Sequence, residues 1–140
     1  MHRLNRVFPA RLAAFEEVKG LIEDFAAMAG LGREDRHKLT LIVEELFTNT
    51  VTHGHRGDSD APVSITFQED AGRLDLTYED SAPPFDPFAA GQRADIDSTI
   101  RERRVGGLGI FITIGLTENV EYSYTSGRNR ICLRLSLGAR

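Results

Sequence analysis

The stretch from Leu39 to His53 constrains the fold of this chain more than any other. At 100° per residue, one side of it is a mostly apolar stripe of the kind that packs against a core: Leu39, Ile42, Val43, Leu46, Phe47 and Thr50. Beside this stripe Glu45, Asn49 and His53 recur at intervals of four residues, which stacks them on one helical face. Asn lowers helix propensity, so a surface helix has no need of one there. The polar row either bonds to neighbouring loops or belongs to a functional site.

Length, charge and cysteine content limit the classes of protein that this chain represents. Its 140 residues predict one domain, residues 1–140, that buries a core without disulfides. Cys132 is the only cysteine, which excludes an internal disulfide and a four-cysteine zinc site. The formal net charge of −4 gives no general attraction to nucleic acid or to an acidic membrane. Since the sequence has neither a long apolar span nor a signal-peptide run, we expect a cytoplasmic protein that binds neither.

Helical and alternating patterns on both sides of the central helix predict an α+β fold. Met1 to Phe8 suits a short edge strand, and an amphipathic helix runs from about Leu12 to Ala29, where Gly30 stops it. A charged turn over residues 32–38 leads into the central helix, which the glycines at 54 and 57 end. Alternating apolar residues then predict two hairpins, from strands at 63–67, 74–78, 120–124 and 131–135. We therefore expect helices on one face of a mixed or antiparallel sheet.

Glycines mark the start of a further predicted helix, in the segment Gly106-Gly-Leu-Gly-Ile110. Backbone N–H groups at a helix start, unobstructed by side chains, form a site for anions. The glycines either bind phosphate or only let the preceding connection bend. They are not a P-loop, because no Gly-Lys-Ser/Thr follows, and the dinucleotide fingerprint comes after a strand rather than after a long loop.

Asp80 stands at the end of a predicted strand, where an Asp most often begins a turn. Taken together with the polar row and the glycines, it permits a second interpretation. An acceptor for a purine amine, an amide oxygen for Mg²⁺ and a glycine-lined phosphate cradle would together hold ATP.

Four short motifs carry a resemblance to a known family: Glu45-Leu-Phe-Thr-Asn49 with His53, Asp80-Ser-Ala-Pro-Pro-Phe-Asp-Pro87, Gly106-Gly-Leu-Gly-Ile110, and Gly127-Arg-Asn129. In order and spacing, over residues 39–135, they resemble the N, G1 and G2 boxes and the closing strand of the GHKL (Bergerat-fold) ATPases. Within that family the chain is most similar to the compact bacterial anti-sigma-factor serine kinases. The resemblance implies a two-layer α/β sandwich, with helices on one face of a mixed, mostly antiparallel sheet.

The resemblance also implies roles for individual residues. Asn49 would coordinate the Mg²⁺ that bridges the phosphates, and Glu45 would be the general base. Asp80 would accept the adenine amino group, and His53 would support the phosphates. The remaining ATP-binding positions are Ala82 on the adenine side and, on the phosphate side, Gly106, Gly107, Leu108 and Gly109, with residues 86–104 as the ATP lid. Glu44 points away from the row and would be solvated.

Two positions depart from the family pattern. Ala82 stands where the G1 box usually has a glycine, which places one extra methyl group beside the adenine. Asn129 stands where many relatives have a threonine, so the threonine's contact to the base-side network cannot be carried over.

The resemblance implies an anti-sigma factor that is also an ATP- and Mg²⁺-dependent serine/threonine protein kinase. It would phosphorylate an anti-sigma-factor antagonist and sequester a sigma factor, and relatives suggest a homodimer. The alternative is an ATP-regulated binding module without phosphoryl transfer, and the presence of Glu45 favours the kinase.

Three other interpretations fit less well. A detached histidine-kinase domain needs a helical segment with a phosphoacceptor histidine, and the region around His37 is too short and lies on the wrong element. A gyrase-like ATPase needs a second domain. A metal hydrolase using His53 and His55 lacks a third histidine or a paired carboxylate at ligand spacing.

Overall fold

The computed structural model describes residues 1–88 and 117–138. The elements, in chain order, are β1 (His2–Pro9), a 3₁₀ turn (Leu12–Ala14), α1 (Phe15–Ala29), α2 (Arg33–Asn49), a π-helical turn (Thr50–Gly54), β2 (Pro62–Asp70), β3 (Arg73–Asp80), β4 (Asn119–Thr125) and β5 (Arg128–Ser136). Both predicted hairpins and the two predicted helices of the N-terminal half are therefore present, and the helix predicted to start at the glycines of residues 106–109 lies outside the described residues.

The five strands form one sheet in the order β1-β2-β3-β5-β4. Within the described ranges every neighbouring pair is antiparallel. The helices cover one face of this sheet, which confirms the predicted α+β fold. No helix in these ranges is long and apolar enough to span a membrane.

The core lies between the sheet and the two helices, and most of it comes from residues that the alternating and helical patterns predict to be buried; Leu21 is buried without having been predicted, and Leu12 is exposed although the pattern included it. Alternate side chains of β2 and β3 point into it because successive residues of a strand face opposite sides. The side chains with at most 1% exposure include Val63, Ile65, Phe67, Leu74, Leu76 and Tyr78 from the strands and Val18, Leu21, Ile22, Phe25, Ile42, Val43 and Phe47 from the helices. The layers meet directly, since the Phe25 and Phe67 rings lie 5.3 Å apart.

The ends of the helices agree with the sequence at one point and differ at another. Gly30 ends α1 in the left-handed conformation (φ 70°) and donates its N–H to Ala26, as predicted. The predicted charged turn over residues 32–38 is wrong, because α2 already begins at Arg33. The negative side chains of Glu34 and Asp35 in its first turn interact favourably with the positive end of the helix dipole. These charged turns were missed because they carry no apolar period.

The C-terminal end of α2 changes its geometry before the chain leaves it. Residues Thr50–Gly54 form a π-helical turn, in which the N–H of His55 bonds to the carbonyl of Thr50 at 2.9 Å. Such single π turns widen the helix and are frequent at functional sites. The turn places the residues that follow Asn49 differently from a continued α-helix.

Candidate functional site

A cavity lies where the end of α2 meets the ends of β3 and β5. Its lining combines polar groups with apolar walls and consists of Leu46, Asn49, Thr50, Gly54, Asp80, Ala82, Phe85, Pro87, Asn129 and Ile131. Asn49 and Asp80, which the sequence analysis had taken from separate motifs 31 residues apart in the chain, thus line one cavity. Ala82, predicted on the adenine side, lines it too.

Asp80 is a buried carboxylate whose orientation is set by three hydrogen bonds. Its Oδ1 accepts the backbone N–H of Ala82 at 3.1 Å and the side-chain amide of Asn129 at 2.9 Å. Its Oδ2 accepts the hydroxyl of Thr50 at 2.8 Å. A carboxylate oxygen has two lone-pair positions, so Oδ2 keeps one acceptor position for a ligand. Because the side chain is only 8% exposed and is held by these bonds, the free acceptor position points in one fixed direction.

Thr50 and Tyr78 support this carboxylate from beneath. The Tyr78 hydroxyl lies 2.7 Å from the Thr50 hydroxyl and 3.2 Å from the Leu46 carbonyl. Burial raises the pKa of Tyr78 well above its usual range, so the phenol stays protonated and acts as a donor. This support is not visible in the sequence, because Thr50 belongs to the apolar stripe of the helix and Tyr78 alternates with the core residues of a strand.

Asn129 connects Asp80 to the loop that follows it. Besides Asp80, its Nδ2 lies within 3.1 Å of the carbonyl oxygens of Ala82 and Pro83. Its Oδ1 accepts the N–H of Phe85 at 3.0 Å and the hydroxyl of Tyr122. Asn129 stands directly opposite Asp80 in the β3–β5 register. The sequence did carry a signal, since Asn is depleted in strands. The structure shows in addition that this Asn is buried, with 4% exposure.

Asn49 has the position and chemistry of a magnesium ligand. Its side chain is 7% exposed and lines the cavity, yet its carboxamide makes no hydrogen bond in the part of the chain that the structure describes. A carboxamide oxygen is a hard ligand, and Mg²⁺ in nucleotide sites takes one or two protein oxygens and completes its shell with water and phosphate. The residue present therefore fits the ion. Residues 1–88 and 117–138 contain no cluster of three His, Cys, Asp or Glu side chains that would hold a metal by themselves.

Glu45 lies one turn before Asn49 on α2 and is half-buried, whereas Glu44 is exposed. Burial raises the pKa of Glu45, and the negative charge of Glu44 raises it further. A carboxylate with a raised pKa is a stronger base, closer to the pH at which it operates. Glu45 is thus the carboxylate on this helix whose surroundings suit proton transfer.

The comparison with family models decides the classification. Residues 8–135 match the model described as the histidine kinase-like ATPase domain. The chain belongs to this family. The resemblance to GHKL ATPases that the motifs indicated is confirmed.

Curated relatives of this ATPase domain include serine-protein kinases. The serine-protein kinase RsbW of Listeria innocua is 26% identical over 115 residues, which cover 76% of this chain and 69% of the relative. RsbW of Listeria monocytogenes serovar 1/2a is 27% identical over 109 residues, with the same coverage.

Solved structures share the fold. The RsbU and RsbW domains of Rv1364c from Mycobacterium tuberculosis align over 100% of this chain with a TM-score of 0.70 and 15% identity. This chain spans 34% of that longer one. One chain of the SiaB–SiaC complex of Pseudomonas aeruginosa aligns over 96% of this chain and 89% of its own length, with a TM-score of 0.59 and 14% identity.

Some predicted site residues of the ATPase domain lie outside this cavity or outside the described residues. His53 is exposed and is not part of the cavity lining, because the π-helical turn interrupts the α-helical spacing that would stack it on Asn49. Gly106, Gly107, Leu108 and Gly109 lie outside the described residues, as does the predicted lid apart from residues 86–88.

The π turn brings Gly54, rather than His53, into the cavity lining and against Ala82. A Cβ atom at Gly54 would lie 2.9 Å from the Cβ of Ala82, closer than two carbon atoms approach. Ala82 is 1% exposed. The methyl group that Ala82 adds to the family pattern thus lies against Gly54, where no side chain competes with it.

Replacing Gly54 by Ala should lower the free energy of unfolding by about 1–3 kcal/mol, because an extra methyl in a packed contact forces the backbone to shift. Gly20→Ala is the matched control, since nothing lies within 4 Å of that Cβ; it should raise stability by about 0.5–1 kcal/mol. Urea unfolding measures both. The double variant Gly54→Ala, Ala82→Gly should recover most of the loss, and failure to do so would contradict the contact.

Proposed function

We propose that this chain is an anti-sigma factor and an ATP-dependent serine/threonine protein kinase that phosphorylates an anti-sigma-factor antagonist. One observation carries the proposal: Asn49 and the oriented acceptor of Asp80 line the same cavity, with Glu45 one turn away. The proposal that a serine or threonine hydroxyl receives the phosphoryl group is supported by relatives that are named serine-protein kinases.

ATP is the substrate of the proposed reaction, and each residue contributes one task. The free acceptor position of Asp80 binds the adenine amino group, beside Ala82. Asn49 ligates Mg²⁺, which when bound neutralises phosphate charge. His53 and the glycine segment, Gly106, Gly107, Leu108 and Gly109, are proposed to support the phosphates.

Glu45 is the proposed base for transfer. The serine oxygen of the antagonist attacks the γ-phosphorus, the bond between that phosphorus and the β–γ bridging oxygen breaks, and ADP leaves. The proton of the serine hydroxyl passes to the Glu45 carboxylate. The raised pKa of Glu45 makes it a stronger acceptor for this proton.

The partners follow from the same proposal. The antagonist is a small protein with a serine or threonine, and the phosphorylated antagonist releases this chain to hold a sigma factor. A structure of SiaB with SiaC shows that one protein with this fold forms a complex with a partner. We further propose a cytoplasmic homodimer.

Nucleotide titration followed by a transfer assay tests the proposal. Calorimetry with ATP should detect binding that strengthens with Mg²⁺, and incubation with γ-labelled ATP should label a cognate antagonist. Binding without a labelled product at any ratio would replace the kinase with the ATP-regulated binding module. Absence of any ATP or ADP binding would overturn both.

A further inference from the structure

The side chain of Asn129 connects three parts of the molecule that converge on the cavity. It belongs to β5 and contacts Asp80 at the end of β3, Tyr122 on β4, and the loop of residues 82–85. Phe85 from this loop lines the same cavity as Asp80. A single amide group thus holds both the acceptor and one wall of the site.

Only one orientation of this amide satisfies its surroundings. Three acceptors face Nδ2, namely a carboxylate oxygen of Asp80 and two carbonyl oxygens, at 2.9–3.1 Å. Two donors face Oδ1, the N–H of Phe85 and the hydroxyl of Tyr122. A flipped amide would set an oxygen against the three acceptors and an NH₂ group against the two donors, so the network itself assigns the orientation.

The orientation has a direct consequence for Asp80. The amide and the N–H of Ala82 together occupy both lone-pair positions of Oδ1. The free acceptor position is therefore confined to Oδ2, beside the Thr50 hydroxyl. Without the Asn129 donor, Oδ1 would keep only the N–H of Ala82, so a free acceptor position would open on Oδ1 and would no longer be confined to Oδ2.

We propose that Asn129 is a positioning residue for recognition of the nucleotide base. It directs the free acceptor position of Asp80 and holds Phe85 at the cavity wall, which selects a base that presents an N–H donor. This inference rests on the proposed nucleotide site and adds to it the residue that sets base selectivity.

The titratable groups around Asn129 allow its positioning role to be tested by changing the pH. The titratable groups facing it are Asp80 from β3 and Tyr122 from β4, with Tyr78, Asp86 and Tyr124 further out. Burial raises the pKa of both Tyr78 and Tyr122, so these phenols stay neutral below pH 9. A second carboxylate introduced at position 129 would therefore titrate against Asp80.

Asn129→Asp tests the proposal because it keeps the shape and replaces the donor with an acceptor. The introduced carboxylate would face Asp80 Oδ1 at about the 2.9 Å of the present contact, where the first ionisation of the pair opposes the second. We expect ATP affinity at pH 8.5 to fall at least about 30-fold. Protonation of the pair at lower pH restores a donor toward Asp80, and the affinity there should recover to within about 5-fold of wild type.

The ratio of variant to wild-type affinity is followed from pH 6 to 8.5, which cancels titration of ATP itself, and thermal unfolding is recorded at each pH. Asn119→Asp, the same change at an exposed site on β4, should leave the ratio flat. If wild type binds ATP and the Asn129→Asp ratio does not change with pH, Asn129 is merely structural and the proposal fails. If the wild-type protein binds no nucleotide, the proposed function itself fails, and the role of Asn129 fails with it.

A second variant covers the case in which Asn129→Asp does not fold. Asn129→Leu has nearly the same shape as Asn, but it neither donates to Asp80 nor bridges to the carbonyls of Ala82 and Pro83. We expect its preference for ATP over inosine triphosphate, whose purine has a carbonyl in place of the amino group, to fall about 5- to 10-fold. An unchanged preference would overturn the positioning role.

Discussion

Replacing Asp80 by Asn is expected to weaken ATP binding at least about 30-fold, or about 2 kcal/mol, while leaving the fold intact. Asn129 and the N–H of Ala82 both donate to Oδ1, so the carbonyl of the introduced amide must take that place. Its NH₂ group then takes the place of Oδ2 and faces the adenine amine, donor against donor. The fold survives because Thr50 can accept from this NH₂ group and donate to Leu46.

The same reasoning predicts a change of preference, which calorimetry measures. Inosine triphosphate presents an acceptor where ATP presents a donor, so the Asp80→Asn variant should bind it at least as tightly as wild type does. Asp75→Asn is the control, since Asp75 lies on the same strand but pairs with Arg134 on the outer face of the sheet. It should leave both affinities unchanged. An Asp80→Asn variant with wild-type ATP affinity would remove Asp80 from the base site.

Glu45→Gln is expected to reduce phosphoryl transfer to the antagonist about 10²- to 10⁴-fold, because the amide cannot accept the proton of the attacking hydroxyl. ATP affinity should stay within about 3-fold of wild type. Glu44→Gln is the matched control, since Glu44 is the exposed neighbour of the half-buried Glu45, and it should retain nearly full transfer. Transfer is measured with γ-labelled ATP. Equal losses of binding and transfer would make Glu45 a structural residue rather than the base.

Stability gives an independent check on Glu45. Its pKa is raised in the folded state, first by burial and then by Glu44, so the charged form opposes folding above the folded pKa. This cost is absent below the unfolded value of 4.5 and grows as the pH rises through the folded pKa. Glu45→Gln should therefore stabilise the protein at pH 7 by about 0.5 kcal/mol, a small value because solvent screens a half-buried group. The gain should vanish near pH 4, as urea unfolding at both pH values would reveal.

The elements of the fold were predictable because their signals are local. Alternation over 63–67 and 74–78 and the helical recurrence over Phe15–Ala29 each fall within one element, so periodicity reveals which face is buried. The first turns of α2, residues 33–38, were lost for the opposite reason. They are charged and mostly solvated, so no apolar periodicity identifies them as helical. Their helical conformation is evident only from the structure, in which they continue into the rest of α2.

Site residues could be predicted where the residue type was unusual for its position in an element. They could not be predicted where the residue type was common at that position. Asn49 on a helix beside the core and Asp80 at a strand end drew notice, and both line the cavity. Thr50 and Tyr78 resemble core residues in the sequence, and their hydroxyl groups meet Asp80 and each other only because α2 packs on β3. His53 keeps the helical interval in the sequence, but the π turn places it outside the cavity lining. The sequence did not predict this, because a π turn is not visible in the periodicity.

By itself the sequence determined the α+β class, the buried faces and the order of the family motifs, since each depends on residues close together in the chain. Tertiary structure alone decided that the Asp80 carboxylate is held by Thr50 and Asn129, which lie 30 and 49 residues away. Those contacts follow from strand register and from the packing of a helix on a sheet. A shift of one residue in the register of β5 would turn Asn129 to the outer face and remove the amide donor from the carboxylate.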